Sequence, residues 1–364
     1  MPVPLNCPEH RLMTELDRRS FLLGSLIVGA VGLEMPSALA AQTTPPLPAA
    51  TPTPIAPTPA VVGYAAPDLE RMVPVTGGRV YVRINGKLDS GKPPIVMIHG
   101  GPGGTHAHFL AALALADERA LVLYDQLDSG QSDRPGDPAN WRVDRYVDEV
   151  DAIRAALGIN RWHVLGHSWG GTVALEYGAR QPAGLAGLAL ASPLISTKSW
   201  IADANIRRGE LPANVQADIA TCDVAPVTTV PSDTCQRGVG AFYAAFNGRM
   251  PASPAAIDYA AKHHGGFNQK LYNTMWGSSE FVSTGTLRDY DGEPLLAKLD
   301  GKRTLFLGGQ YDEARPSTLA GFAARVAGAE FATIPGAAHG IFADRPQETV
   351  ALIRAWLARQ DALA

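Results

Sequence analysis

One short stretch constrains this chain more than any other: Gly166-His167-Ser168-Trp169-Gly170, extended by Gly171. It stands between a compact apolar run, Arg161–Leu165, and a stretch of helical character, Gly170–Arg180. A serine on so tight a strand-to-helix turn holds a strained backbone, and neighbouring chains must pass close by. Glycines two residues to either side leave that room. The serine then projects at a helix N-terminus, where unpaired N–H groups favour a developing negative charge. The setting predicts a nucleophilic serine at the carboxyl edge of a parallel sheet.

The flanking sequence agrees with such a sheet. Met72–Thr76, Gly77-Gly78 and Arg79–Ile84 read as a hairpin. Pro94–Ile98 and Ala120–Tyr124 are short, continuous apolar runs, as expected of parallel strands covered on both faces. Val143–Leu157 carries Val147, Val150, Ile153 and Leu157 at helical spacing, and Leu185–Ala191 reads as a strand. Alternation stops after Pro193 and returns with strand Arg303–Leu307, helix Leu319–Val326, strand Glu330–Ile334 and helix Glu348–Arg359. The reading is an α/β fold with a doubly wound, mostly parallel sheet. Residues 61–195 and 286–364 form its two parts, interrupted by an inserted, helical cap over 196–285.

A serine nucleophile needs a base, and the base an orienting carboxylate. Asp312 stands just past the strand Arg303–Leu307, and His339 just past Glu330–Ile334, which places both at the sheet edge that carries Ser168. Glu313 competes with Asp312 for the acid role. His99-Gly100-Gly101-Pro102-Gly103-Gly104 follows the strand Pro94–Ile98 and lets backbone approach a substrate oxygen. The N–H groups of Gly101 and Trp169 are the expected oxyanion hole. This chemistry requires no metal or organic cofactor, and no metal-ligand spacing is visible.

His99–Gly104, Tyr124-Asp125-Gln126 with Ser129-Gly130-Gln131-Ser132, Gly166–Gly171, Tyr311-Asp312-Glu313 and Ala338-His339 together resemble the proline iminopeptidases. The resemblance runs from Met72 to Leu357 and extends to the tricorn-interacting aminopeptidases and L-amino-acid amidases. It implies the α/β-hydrolase fold and release of an N-terminal aminoacyl residue, prolyl among them, from a small peptide or aminoacyl amide. It also implies that Glu280, in Asn273–Phe281, binds the substrate's free amino group. A carboxylate there would pair with an ammonium and reject substrates lacking one. The chain departs from the family in two places. Asp128 stands where its loop has glycine, and Gly238–Ala256 lacks the acidic residues that the family places upstream. A broader amidase or esterase, indifferent to Glu280, is the alternative.

Asp17-Arg18-Arg19-Ser20-Phe21-Leu22, an apolar run to Leu33 and Ser37-Ala38-Leu39-Ala40 have the layout of a twin-arginine signal peptide over 1–40, cleaved after Ala40. The implied location is periplasmic or secreted, with no membrane association after cleavage. A proline-rich linker over 41–60 follows. Cys7 would leave with the signal, and Cys222 with Cys235 is then an even pair bound for an oxidising compartment, bridged or as two free thiols. A net charge of −4 without like-charge runs offers nothing for nucleic acid.

Overall fold

A computed structural model describes residues 63–363 apart from 224–231, 264 and 278–279. The expected signal peptide, its cleavage site, the linker and Cys7 lie outside the described residues.

Strands β1 (Leu69–Val75) and β2 (Gly78–Asn85) form the expected hairpin, each reaching further than its apolar core suggests. They lead into β3 (Ile95–Ile98), β4 (Leu121–Tyr124), β5 (Trp162–His167), β6 (Leu185–Ala191), β7 (Thr304–Gly309) and β8 (Glu330–Ile334). The strands make one eight-stranded sheet in the order β1-β2-β4-β3-β5-β6-β7-β8. From β4 to β8 every pairing is parallel; β1 and β2 join antiparallel at one edge. This is the α/β-hydrolase architecture. Strands β3, β4 and β5 are buried along their whole length, which is why they read as unbroken apolar runs rather than alternating ones.

Helices α1 (Val143–Ala156), α2 (Trp169–Ala179), α8 (Pro316–Ala324) and α10 (Pro346–Asp361) connect or cover the strands, with short α9 (Ile341–Asp344) before the last. One buried apolar cluster centres on Val96, Val164, Trp169 and Phe306, the other on Met97, Leu165, Leu307 and Trp356. Alternate residues of each strand thus feed opposite layers. Between β3 and β4 a 3-10 stretch, His106–Asp117, buries His106, Phe109, Leu110, Ala112 and Leu115. No element is legible there in the sequence, because an alanine- and leucine-rich run has no clear period.

Between β6 and β7 lie α3 (Thr197–Gly209), α4 (Ala213–Asp223), α5 (Asp233–Phe246), α6 (Pro254–Lys262) and α7 (Gln269–Met275). Polar caps start most of them. The side chains of Ser196, Ser232, Ser253 and Asn268 accept from the backbone N–H three residues on. Cys222 and Cys235 are bridged, joining α4 to α5. The segment is tied to the loops at the strands' carboxyl ends. Asn268 N donates to Gly103 O (2.8 Å), and the N–H groups of Glu313 and His339 both donate to Phe246 O (3.1 Å each).

Candidate active site

Ser168 takes φ 58° and ψ −123° between β5 and α2, a region that costs a non-glycine residue about 1–3 kcal/mol. Three backbone hydrogen bonds hold it there: its N–H to Ala191 O (3.0 Å), and its carbonyl from Gly171 N (2.8 Å) and Leu194 N (3.1 Å). Close approach accounts for the flanking glycines. A β-carbon on Gly166 would lie 2.0 Å from Gly170 O, and one on Gly170 would lie 2.0 Å from Ile98 O.

His339 and Asp312 meet as expected. His339 Nδ1 donates to Asp312 Oδ1 at 2.9 Å, and Asp312 is fully buried. Its carboxylate also accepts from Ala314 N (3.0 Å), Gly309 N (3.3 Å) and Ser192 Oγ (2.5 Å). Ser192, itself at φ 46°, is a supporting residue that no motif in the sequence announces. Below the pair, burial drives the His167 imidazole well below its ordinary range. Neutral His167 donates from Nε2 to His339 O (2.8 Å), fixing the loop that carries the base.

Glu313 does not compete for the orienting role. It stands on the other side of the imidazole, 3.8 Å from His339 Nε2. Asn247 Nδ2 donates to its Oε1 at 2.7 Å, and its Oε2 is buried with no partner among the described residues. Burial, reinforced by repulsion from Glu280, pushes the Glu313 carboxyl up, and the charge of His339 pulls it back down. Burial alone would depress His339. The carboxylates of Asp312 and Glu313, the Asp312 hydrogen bond and Glu280 outweigh it and raise the imidazole to about 9.

Glu280 is fixed by three donors from three helices. Tyr272 OH (2.5 Å) and Tyr243 OH (3.3 Å) reach its Oε1, and Trp200 Nε1 (3.0 Å) reaches its Oε2. The Trp200 ring in turn stands edge-on to His339 at 5.3 Å and to Trp276 at 6.2 Å. Ser168, Trp169, Gly101, His339, Glu313 and Glu280 all line one cavity of about 510 Å³. Its described lining contains no lysine or arginine.

The residues Tyr124-Asp125-Gln126 gain a structural meaning here. Gln126 Nε2 donates to His99 O (2.8 Å) while its Oε1 accepts from Trp169 Nε1 (2.8 Å), so one side chain locks the His99–Gly104 loop to the elbow. Burial lowers His99 to about 4; it is neutral, accepting from Gln126 N at Nε2 (3.0 Å) and donating from Nδ1 to Gly100 O (3.0 Å). Asp125 holds His106 through both its backbone N (2.7 Å) and Nδ1 (2.8 Å). Asp128, the departure from glycine, keeps the left-handed backbone at φ 66°. Its side chain accepts from Gly136 N (2.7 Å) and Trp141 Nε1 (2.8 Å), so the loop keeps its shape. His263 lines the cavity and stacks on Tyr259 at 3.7 Å; its neighbour at 264 lies outside the described residues.

Residues 93–346 match the family model described as the alpha/beta hydrolase fold. The chain is 35% identical to a proline iminopeptidase of Heyndrickxia coagulans over 286 residues, covering 78% of this chain and 96% of that one. The chain belongs to the proline iminopeptidase family of α/β-hydrolases. Another family member, the proline iminopeptidase of Levilactobacillus brevis, is 33% identical over 302 residues, 80% of this chain and 97% of that one. The crystal structure of the Mycobacterium smegmatis proline iminopeptidase superposes with a TM-score of 0.72 at 30% identity, covering 81% of this chain and 99% of the other. Membership makes this protein a hydrolase of the aminopeptidase kind.

Proposed function

We propose that the enzyme releases the N-terminal residue of a small peptide or aminoacyl amide through an acyl-enzyme on Ser168. His339 Nε2 takes the serine proton as Ser168 Oγ attacks the amide carbonyl. Asp312 holds the imidazole by its Nδ1–H and stabilises the imidazolium that forms. The N–H groups of Gly101 and Trp169 receive the oxyanion. Trp169 stands at the first position of α2, where its N–H has no partner within the helix. Water then repeats the sequence on the ester.

One observation carries the reading: the Glu280 carboxylate, oriented by Tyr272, Tyr243 and Trp200, shares a cavity with Ser168, His339 and Glu313. A carboxylate held this firmly is preorganised for a cation, and an α-ammonium is the cation an N-terminal residue brings. Glu313 supplies the second carboxylate that Gly238–Ala256 does not. Leu194, Trp200 and Trp276 give the acyl side apolar walls suited to a compact side chain such as the proline ring. The helices of 196–285 act as the cap over this site.

The test is a panel of aminoacyl anilides with prolyl and alanyl acyl groups, their N-acetyl counterparts and simple esters. The reading expects free-amine substrates to exceed their N-acetyl forms by on the order of 100-fold in kcat/KM, the value of a buried charge pair. Equal rates on both would leave a general amidase or esterase.

We further propose twin-arginine export, supported by Arg18-Arg19 ahead of Phe21-Leu22 and by a Cys222–Cys235 bridge that suits an oxidising compartment. Replacing both arginines by lysine should keep the protein out of the periplasm.

A further inference from the structure

Three carboxylates surround one imidazole in this cavity. Asp312 holds His339 Nδ1, Glu313 stands 3.8 Å from Nε2, and Glu280 faces the same space. The Glu313 contact is too long for a hydrogen bond but within reach of an ion pair. No lysine or arginine among the described lining residues balances the charge. Arg207 reaches the Asp312 loop, but its guanidinium is spent on the carbonyls of Asp312 and Gln310 and the carboxylate of Glu210.

Among the described residues, no other group packed against His339 supplies a cation. His167 from β5 and His108 from the 3-10 stretch are both held neutral by burial, His108 at about 3. Trp200 from α3, Tyr243 from α5 and Tyr272 from α7 bring only neutral donors to Glu280. Asp344 of α9, which accepts from Ala338 N beside the base, adds a further carboxylate. In the free enzyme, a proton on His339 is the local cation. That proton sits on Nε2, the atom that must be bare to accept from Ser168.

We propose that Glu313 gates the base: its carboxylate holds the proton on His339 Nε2 until the substrate's ammonium takes Glu313 for itself, so the cation that is recognised also makes His339 a base. The exchange balances. One ammonium enters between Glu280 and Glu313, and one proton leaves Nε2 for solvent through the open cavity, so the charge facing the carboxylates is unchanged. Ser168 Oγ then finds a neutral imidazole. An N-blocked amide or plain ester brings no ammonium and meets an imidazolium. This inference rests on the amine-recognition reading above and adds selectivity in kcat to selectivity in binding. The raised imidazole is what such a proton-holding pair produces; the rise of Glu313 comes instead from its burial and the charge of Glu280, and the charge of His339 opposes it.

The experiment follows hydrolysis of p-nitrophenyl acetate, an acyl donor without an amine, by wild type and Glu313→Gln from pH 6 to 10. The amide preserves the shape and can still accept from Asn247. Wild-type kcat/KM should rise through an ionisation near 9. In Glu313→Gln the limb should move down by a unit or more, raising ester turnover at pH 7 by about tenfold, since each pKa unit is a factor of ten in neutral base. Methylammonium, at ionic strength matched with potassium chloride and with the uncatalysed rate subtracted, should accelerate the wild type at pH 7. It should do nothing for the variant. A residue that only supports the fold cannot give this gain of activity.

Ester turnover that falls or stays fixed in Glu313→Gln, with the limb in place, overturns the gate; so does methylammonium that leaves wild type unaccelerated, a test that needs no variant to fold. Alanyl anilide and its N-acetyl form separate the two levels. If Glu313→Gln harms only the free-amine anilide while the ester limb stays put, recognition stands and the gate falls; Glu280→Gln tests recognition alone. If neither variant distinguishes the two anilides, recognition falls and the gate with it.

Discussion

Around Ser168 the backbone does the positioning; around Glu280 side chains do it. At the elbow, carbonyl oxygens of Ile98 and Gly170 occupy the space that a β-carbon on Gly170 or Gly166 would need, and main-chain bonds hold the serine in its unusual conformation. At the amine end, a tryptophan from α3, a tyrosine from α5 and another from α7 converge on one carboxylate. Chemistry needs sub-ångström constancy, and close-packed main chain supplies it. Recognition needs a charge of the right sign in the right lobe, which several arrangements of donors can supply. In the proposed function the second carboxylate comes from Glu313, beside Asp312, rather than from the upstream stretch.

The largest effect is expected at the elbow. Ser168→Ala should reduce kcat on every substrate class by on the order of 10⁴–10⁶, since the triad acts as a unit. A residual rate within tenfold of wild type would remove Ser168 from the mechanism. Asp312→Asn should cost about 10⁴ in kcat, with free-amine and amine-free substrates hit alike, because the base loses its orientation whatever the acyl group. Glu313→Gln should discriminate between those substrates. The reverse pattern would exchange the roles of the two carboxylates.

This contrast also explains what the sequence disclosed. Gly166–Gly171 and His99–Gly104 are legible because most of their glycines mark places where a β-carbon would collide with a neighbouring main chain, at 2.0 Å for Gly166 and Gly170. Asp312 and His339 were legible from the strands before them, since parallel strands deliver their following loops to one edge. The donors to Glu280 were not. Trp200, Tyr243 and Tyr272 lie on helices whose faces are mixed and whose starts are marked only by single polar caps. Ser192 acts through a bond to one partner distant in sequence and Gln126 through bonds to two, which no spacing can reveal. Glu313 was visible as a carboxylate beside the acid, but its side of the imidazole is a matter of three dimensions.

The amine end is probed next, with a smaller effect confined to one substrate class. Glu280→Gln removes charge and keeps shape, so a partly desolvated pair with the substrate ammonium should be lost at a cost of about 2–4 kcal/mol, or roughly 30- to 1000-fold in kcat/KM. N-blocked amides and simple esters should be unaffected. Equal losses on both classes would assign Glu280 to holding the helices together through Tyr272, Tyr243 and Trp200. That result would erase the distinction between the two ends of the cavity.

The smallest effect on turnover belongs to the Cys222–Cys235 bridge, and it asks whether the two regions are separable at all. The bridge closes a span of 13 residues between α4 and α5, which in the chain-entropy account stabilises by roughly 3 kcal/mol. Those helices pack through a small cluster of Ala204, Ile219, Phe242, Phe246 and Phe281, distinct from the two clusters that flank the sheet. If that cluster opens on its own, Cys222→Ser with Cys235→Ser should speed amide exchange in α4 and α5 by about 100-fold, the same free energy read as an opening equilibrium. Exchange in β3, β5 and β6 should stay as it was. Tyr243 sits on α5, so KM for free-amine substrates should rise a few-fold while ester turnover holds. Faster exchange spreading into the sheet would mean that cap and core open as one unit. The elbow would then owe its rigidity to the whole molecule, since Phe246 O accepts from the N–H groups of both Glu313 and His339 and offers a direct route for that coupling.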